Sequence, residues 1–283
     1  GHEHPMTYEY IEYLRTVLPS EIHVVRGNFD ERIANKRLVV EDKWRREEVS
    51  EDKIQRALEV LQPTGNPFLD LCLWKGRFPS TRRRFCSEQL KHEPIDAFMD
   101  QLIESGSYGA IVSWQGVRRD ESHQRANLVE REDHPDKFAF EWYRPILDWK
   151  AEDCFAMHEK HGVEPNPLYK LGMGRVGCMP CIHATKGELF EISRRFPEEI
   201  KRVAEWERLV SAGAKRDVST FMDVRVTAKY LGTGIRPEDV DASTHGIETY
   251  AEYAGTAHGG KQWDLIATTE EPPMCQSIYG LCE

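Results

Sequence analysis

Two cysteines three positions apart, Cys178 and Cys181, lie in the stretch GRVGCMPCIH, residues 174–183. Such a pair can form a redox disulfide, ligate a metal, or consist of two small buried residues. Here it follows a glycine-rich loop late in the chain, whereas a thioredoxin-like pair follows an early strand. This order favours metal binding. Zinc and iron–sulfur clusters both accept a set of four cysteines, so two further ligands are needed.

The other five cysteines supply the candidates for those ligands. Cys72, within LDLCLW, and Cys154, within an amphipathic helix, are predicted to be core residues. Cys86 remains, together with Cys275 and Cys282, which lie in the final CQSIYGLCE. The odd number of widely spread cysteines and the lack of an export signal argue against a disulfide framework. We therefore expect a cytoplasmic protein.

Cys86 lies in a strongly basic stretch, KGRFPSTRRRFCSEQLKHEP, residues 75–94. It directly follows Arg82, Arg83, Arg84 and Phe85, and Lys91 comes five residues later. A positive field lowers the pKa of a thiol and favours the thiolate, the form that ligates metals and acts as a nucleophile. The alternative is an ordinary solvated basic helix face.

A second basic stretch, GVRRDESHQR, follows the apolar run AIVSW. Arg118, Arg119 and Arg125 would lie near the carboxyl end of a strand, where open α/β sheets bind ligands. Guanidinium groups hold phosphate and sulfate through paired charge-assisted hydrogen bonds. The alternative is a solvated loop that Asp120 and Glu121 partly neutralise.

The elements that position these residues follow from hydrophobic pattern. GAIVSWQG and FEWYRPILDW are predicted to be buried, parallel-type strands, and EIHVVR a further short strand. The charged residues 27–66 indicate a partly helical excursion at the surface. Helices are predicted for PMTYEYIEYLRTVL, for residues 80–106 as one long or two broken helices, for KAEDCFAMHEKH ending at Gly162, for EISRRFPEEIKRVAEWERLVSAG and for VTAKYL. Alternating strands and helices predict an α/β fold.

Composition restricts the function classes. The 283 residues carry a net charge of −10, which argues against a protein dedicated to coating nucleic acid. No apolar run reaches the length of a membrane span, and no signal peptide is evident. The chain begins at Gly1 without a methionine, so we expect its natural beginning to lie upstream.

Four segments together resemble the phosphoadenosine phosphosulfate (PAPS) reductase family, within the adenine nucleotide α-hydrolase-like superfamily. They are GHEHPMTYEYI, FCSEQLKHEPI, GVRRDESHQR and NPLYKLGMGRVGCMPC, in the family's order. The resemblance implies a Rossmann-like parallel sheet flanked by helices in residues 1–185, with the family's nucleotide loop upstream of Gly1. Residues 186–283 would form a helical and irregular C-terminal region that ends in a cysteine-bearing tail.

The resemblance also implies roles for individual residues. A 4Fe–4S cluster, rather than zinc, would be held by Cys86, Cys178, Cys181 and Cys275. The phosphate or sulfate end of an adenine nucleotide would be bound by Arg118, Arg119, Arg125, Lys91 and Arg84. The groups that act on the transferred oxygens or sulfur would be Arg118, Arg119 and the tail nucleophile Cys282.

The family resemblance leaves the reaction open. Reductases of the family carry two adjacent cysteines where this chain has Phe85 and Cys86. We therefore favour the members that split ATP during sulfur transfer, as in DNA phosphorothioation. The alternatives are a sulfonucleotide reductase that uses Cys282, and a cluster-binding module without catalysis. Besides ATP or PAPS, the expected partners are a sulfur donor protein or a thioredoxin-like reductant, with nucleic acid as one candidate acceptor and no membrane.

Overall fold

The computed structural model describes residues 1–137 and 139–257, which form a mixed α/β structure with a small sheet. The strands are β1 (Ile111–Trp114), β2 (Arg131–Asp133) and β3 (Phe140–Tyr143). The helices are α1 (Pro5–Val17), α2 (Asp30–Val39), α3 (Glu51–Val60), α4 (Pro67–Lys75), α5 (Phe85–Ser87), α6 (Glu93–Glu104), α7 (Ala151–His161), α8 (Pro167–Lys170), α9 (Lys186–Arg195), α10 (Pro197–Ala212), α11 (Val224–Leu231), α12 (Ala242–His245) and α13 (Ile247–Ala254). π-helical turns at Val40–Trp44 and Glu88–His92 extend α2 and join α5 to α6.

Most predicted helices are confirmed, and their ends show why they form. Pro5 occupies the first turn of α1, where its missing N–H costs nothing, and His4 Nδ1 accepts the N–H of Met6. The helix α7 ends at Gly162, which adopts the left-handed conformation with φ of 63°. The Thr185 side chain and Glu188 form a capping box at the start of α9.

The main hydrophobic core joins distant parts of the chain. Helix α10 packs against α3 and α4 from the first part of the chain, and against α9, α12 and α13 that flank it. Fully buried residues of this core include Leu71 in α4 and Val203 in α10. The core therefore draws on residues from both sides of the predicted boundary at residue 185, and that division stays a prediction.

The prediction of a partly helical surface excursion for residues 27–66 is confirmed for its helical content, α2 and α3, but is wrong about its place at the surface. Ile33, Val40 and Trp44 lie on one side of α2 and its extension, and all three are buried. In α3 and the residue after it, Ile54, Ala57 and Leu61 are fully buried. Ile54, Ala57 and Leu61 are spaced at i, i+3 and i+7. A sparse apolar stripe on a charged helix is therefore enough to reach the core.

The sheet has the order β1-β3-β2. β1 pairs with β3 in parallel, with Ile111 opposite Phe140, which confirms these two predicted strands. β2 pairs with β3 in the antiparallel direction, with Arg131 opposite Tyr143, so the described sheet is mixed where a parallel one was predicted. Arg144 lies buried at its edge, where it donates to Gln115 Oε1 and to the carbonyl of Val129 and pairs with Glu132.

Two further expectations about strands need correction. EIHVVR does not form a strand, since it pairs with none of β1, β2 and β3, and Val24 is exposed. The expectation of a buried strand is wrong for β1, because Ile111 and Ser113 are only half-buried and Val112 and Trp114 are 44% and 71% exposed. Alternation of apolar residues indicates a preference for extended structure, but a strand also needs a hydrogen-bonding partner. Among the described residues, no helix is both long and apolar enough to cross a membrane.

Candidate functional site

The segment that carries Cys178 and Cys181 connects α8 to α9. Cys178 pairs with Glu3 in an isolated antiparallel bridge, and the N–H of Met179 donates to the carbonyl of His2 at 2.8 Å. The peptide bond between Met179 and Pro180 is cis. Contact with the first residues of the chain therefore fixes the loop between the two thiols.

A cavity of about 250 Å³ opens beside this loop. Both cysteines border it, together with the apolar side chains of Met173, Phe190 and Ile192. The carboxylates of Glu188 and Glu191 and the guanidinium of Arg175 also line it. The two thiols thus lie at the edge of a space that a small molecule or an inorganic group can enter.

Cys86 joins the pair from a distant segment. Burial is the largest cause of the raised pKa of Cys86, and Cys181 adds a smaller electrostatic contribution. Burial and Glu3 are the largest causes of the raised pKa of Cys178, and Cys181 and Cys86 add smaller contributions. Lys91, one helical turn beyond Cys86, lowers the pKa of both Cys86 and Cys178. Cys86, Cys178, Cys181 and Lys91 are therefore near enough to influence one another electrostatically, and the role of the thiols as ligands stays a prediction. Within residues 1–137 and 139–257, no group of three or more His, Cys, Asp or Glu side chains is arranged to hold a metal ion.

The prediction of a thiolate at Cys86 is wrong for the protein without a bound metal. Burial is the largest influence on its pKa and raises it, and the opposing effect of Lys91 is smaller. Burial likewise raises the pKa of Cys178 to about 11. The three arginines before Phe85 did not determine the protonation state of the Cys86 thiol. They are exposed, whereas Phe85 and Cys86 turn inward.

Cysteine thiols are the donors that an iron–sulfur cluster uses, so Cys86, Cys178 and Cys181 have the right chemistry for that role, and the cluster stays a prediction. The predicted fourth ligand, Cys275, and the predicted nucleophile, Cys282, lie outside the described residues. Cys72 is fully buried in α4, as predicted for a core residue.

The arginine motif follows β1, as predicted. Arg118, whose side chain is 17% exposed, donates through Nε to Asp120 at 3.0 Å and through Nη1 to the Sγ of Cys154 at 3.6 Å. Within the described residues, its remaining terminal nitrogen, Nη2, makes no hydrogen bond. Arg118 thus keeps donors for an anion, although an intramolecular carboxylate already shares its charge.

The other two arginines of the motif are also paired. Arg119 Nε lies 2.6 Å from Asp148, and its Nη1 donates to the carbonyl of Ala126 at 3.1 Å. Arg125 forms an ion pair with Glu121. These contacts support the alternative of a self-neutralised loop for the resting state, so a phosphate clamp stays a prediction.

The structure changes the expectation for one residue near the arginine motif. Cys154 is half-buried and contacts Arg118, whereas the sequence predicted a core residue. Arg84 and Lys91 were also predicted to bind the phosphate end of the nucleotide. Arg84 is exposed at the N-cap of α5, and Lys91 lies near the cysteines. Sequence reasoning missed His2 and Arg202, which contact the cysteine loop, since no local motif marks either residue.

Comparison with known proteins supplies an independent result. The sequence profile of the phosphoadenosine phosphosulfate reductase domain matches residues 1–184. A 37.8 kDa uncharacterized protein of Escherichia phage 186 is 48% identical over all of this chain and 87% of its own length. The adenosine 5′-phosphosulfate reductase of Neisseria meningitidis serogroup A is 30% identical over 48% of this chain and 55% of its own length. An uncharacterized protein of Methanocaldococcus jannaschii is 29% identical over 44% of this chain and 29% of its own length. Since the profile covers well over half of the residues, the chain belongs to the phosphoadenosine phosphosulfate reductase family.

Proposed function

We propose that this protein is an enzyme that binds an adenine nucleotide and carries out sulfur chemistry beside an iron–sulfur cluster. The observation that carries the proposal is the pair of thiols, Cys178 and Cys181, at the edge of a cavity within the matched domain. Cys86 and Lys91 are near enough to affect the electrostatics of this pair. Cys275 would complete the ligand set. The cluster would supply a fixed inorganic charge next to the reacting sulfur group, and Lys91 would balance part of its negative charge.

The sequence alone favoured ATP cleavage, but with the named relatives taken into account we now favour reduction of a sulfonucleotide. Relatives named adenosine 5′-phosphosulfate reductase match this chain at 30% and 31% identity, which supports a sulfonucleotide over ATP as the substrate. In this reaction the thiolate of Cys282 attacks the sulfate sulfur, an S–S bond forms, and the S–O bond to the nucleotide breaks. The nucleotide phosphate leaves with the electron pair. A dithiol reductant then releases sulfite and is itself oxidised to a disulfide.

The arginines would act on the leaving nucleotide. Arg118 and Arg119 would donate to the oxygens that gain charge as the S–O bond breaks, and Arg125 would hold the phosphate end. The present pairing of each guanidinium with a carboxylate means that substrate must displace or share those partners. Such sharing is chemically feasible because a guanidinium carries five N–H donors.

ATP cleavage coupled to sulfur transfer is the second candidate. Phe85 occupies the position where the reductases have a second cysteine, and it is a core residue whose ring lies 5.9 Å from both the Lys75 ammonium and the Arg77 guanidinium carbon. Because a phenylalanine fills this position, the helix carries a single cysteine. A single cysteine here favours the ATP-dependent members of the family. In that case Lys91 and Arg84 would assist the arginines on the phosphates.

One set of assays tests both reactions. The protein is purified without oxygen and incubated separately with adenosine 5′-phosphosulfate, PAPS and ATP, with a dithiol reductant present throughout. Sulfite formation from either sulfonucleotide supports the favoured reaction, and pyrophosphate formation from ATP supports the second. Failure to form either product, in protein that contains iron and absorbs visible light, would leave the cluster-binding module as the function.

A further inference from the structure

Met179, one of the two residues between the cysteines of the loop, is held at both polar groups of its backbone. The N–H of Met179 donates to the carbonyl of His2 at 2.8 Å, and its carbonyl accepts a hydrogen bond from Nη2 of Arg202 at 3.1 Å. Next to it, Cys178 pairs with Glu3. Because both polar groups of the Met179 backbone are satisfied, the segment between the thiols has a defined position.

Arg202 is itself held in place. Its guanidinium carbon lies 4.9 Å from the centroid of the Trp206 ring, and it forms an ion pair with Glu199, whose side chain is 5% exposed. Stacking on an indole ring and pairing with a buried carboxylate both restrict a long, flexible side chain. Arg202 therefore presents its Nη2 donor to the loop from a fixed direction.

His2 contacts both Met179 and Arg202. Its ring is almost fully buried, stacks on Phe68 at 4.4 Å, and places Nδ1 3.4 Å from Nη2 of Arg202. Burial and the neighbouring Arg202 lower the pKa of His2 to about 3, so the ring is neutral at physiological pH. A neutral ring can accept a hydrogen bond from the guanidinium without repelling it.

We propose that Arg202 is a positioning residue through which α10 fixes the Cys178–Cys181 loop from outside the family's domain. The matched domain ends at residue 184, and α10 begins at Pro197. The C-terminal helical region therefore contributes directly to the cysteine site. The inference rests on the proposed function for the role of the thiols as ligands, but the placement of the loop does not depend on it.

The test uses the metal-free protein, so that it does not depend on a cluster or on activity. Amide hydrogen exchange is measured for the peptide that contains Met179, and the alkylation rate of Cys178 is measured relative to that of Cys154 in the same molecule. Arg202→Met removes the donor. Arg208→Met on the same helix is the matched control, because Arg208 is exposed and, within the described part of the chain, its ion pair is with Glu205.

Arg202→Met is expected to speed both exchange at Met179 and the relative alkylation of Cys178 by about tenfold, the effect of losing one charge-assisted hydrogen bond. Arg202→Lys should have a smaller effect, because an ammonium can donate to Met179 but cannot reproduce the planar stacking. Arg208→Met should change neither rate. An unchanged local rate in Arg202→Met and Arg202→Lys, even with a lower melting temperature, would overturn the proposal.

Iron uptake separates this proposal from the proposed function. If wild-type protein binds iron, Arg202→Met should retain less iron after reconstitution and gel filtration than Arg208→Met. If wild-type protein binds none while Arg202→Met still loosens the loop, the positioning role stands and the cluster proposal fails.

Discussion

The guanidinium of Arg118 and the thiol of Cys154 are in contact, with Nη1 3.6 Å from Sγ. Arg118 follows β1 and Cys154 lies in α7, so the contact joins the arginine motif to the helix after β3. Asp120 holds the other side of the same guanidinium. This pairing fixes Arg118 at the predicted nucleotide-binding edge and leads to two predictions.

Arg118→Ala should lower turnover by about two to three orders of magnitude, the usual loss when one donor to a developing negative charge is removed. Iron content should not change, because Arg118 is not among the predicted ligands. Initial rates with saturating nucleotide and an iron assay measure the two effects. Arg46→Ala, at an exposed ion pair with Asp42, is the control and should retain full activity. Normal turnover in Arg118→Ala would exclude the phosphate-clamp assignment.

Cys154→Ala should lower kcat and kcat/KM for the nucleotide about three- to tenfold, since loss of one modest hydrogen bond lets Arg118 move away from the charge that develops in the reaction. Cys154→Ser keeps an acceptor at nearly the same place and should remain close to wild type. Steady-state kinetics of the two variants give the comparison. The outcome that counts against the contact is a kcat of the alanine variant equal to that of wild type.

Alanine at Cys86, Cys178 or Cys181 should each abolish most of the bound iron and the visible absorbance of anaerobically purified protein. A cluster that loses one of four ligands is held far less firmly. Cys72→Ala is the matched control. Cys72 is fully buried, so its replacement should lower the free energy of unfolding by about 1 kcal/mol while iron content stays the same. Retention of iron in all three variants would contradict the ligand assignment.

Glu207→Gln should remove a pH dependence of stability. Glu207 is buried in α10, where its oxygens accept the N–H groups of Phe221 at 2.6 Å and Ile247 at 2.8 Å, and burial raises its pKa to about 8. The folded state keeps this proton between about pH 4.5 and pH 8, whereas the unfolded state releases it. The contribution of Glu207 to stability is therefore full at low pH and is lost as pH rises through that range.

Urea unfolding of wild type and Glu207→Gln at several pH values from 5 to 9 measures this effect. The stability advantage of wild type should be greatest near pH 5 and should decline towards pH 8. Glu205→Gln is the control, because Arg208 lowers the pKa of Glu205 and moves its titration below this range. A constant difference between wild type and Glu207→Gln across the range would show that Glu207 ionises normally.

The sequence alone determined the local features of this protein. The apolar runs of β1 and β3 and the helix ending at Gly162 were predictable because period and termination signals act over a few residues. The four motifs were sufficient to identify the family, because each keeps its residue types at fixed spacing. Cys86 was a candidate partner for Cys178 and Cys181 from the cysteine inventory, and the family resemblance selected it; that assignment stays a prediction.

Only the tertiary structure decided how distant segments meet. Burial raised the pKa of Cys86 where the neighbouring arginines predicted the opposite, because desolvation depends on what packs around a thiol. The partners of Met179, His2 and Arg202, lie 177 residues before it and 23 residues after it in the chain. No local pattern encodes such contacts, since they arise when α10 packs against helices from the first part of the chain and brings these residues to the cysteine loop.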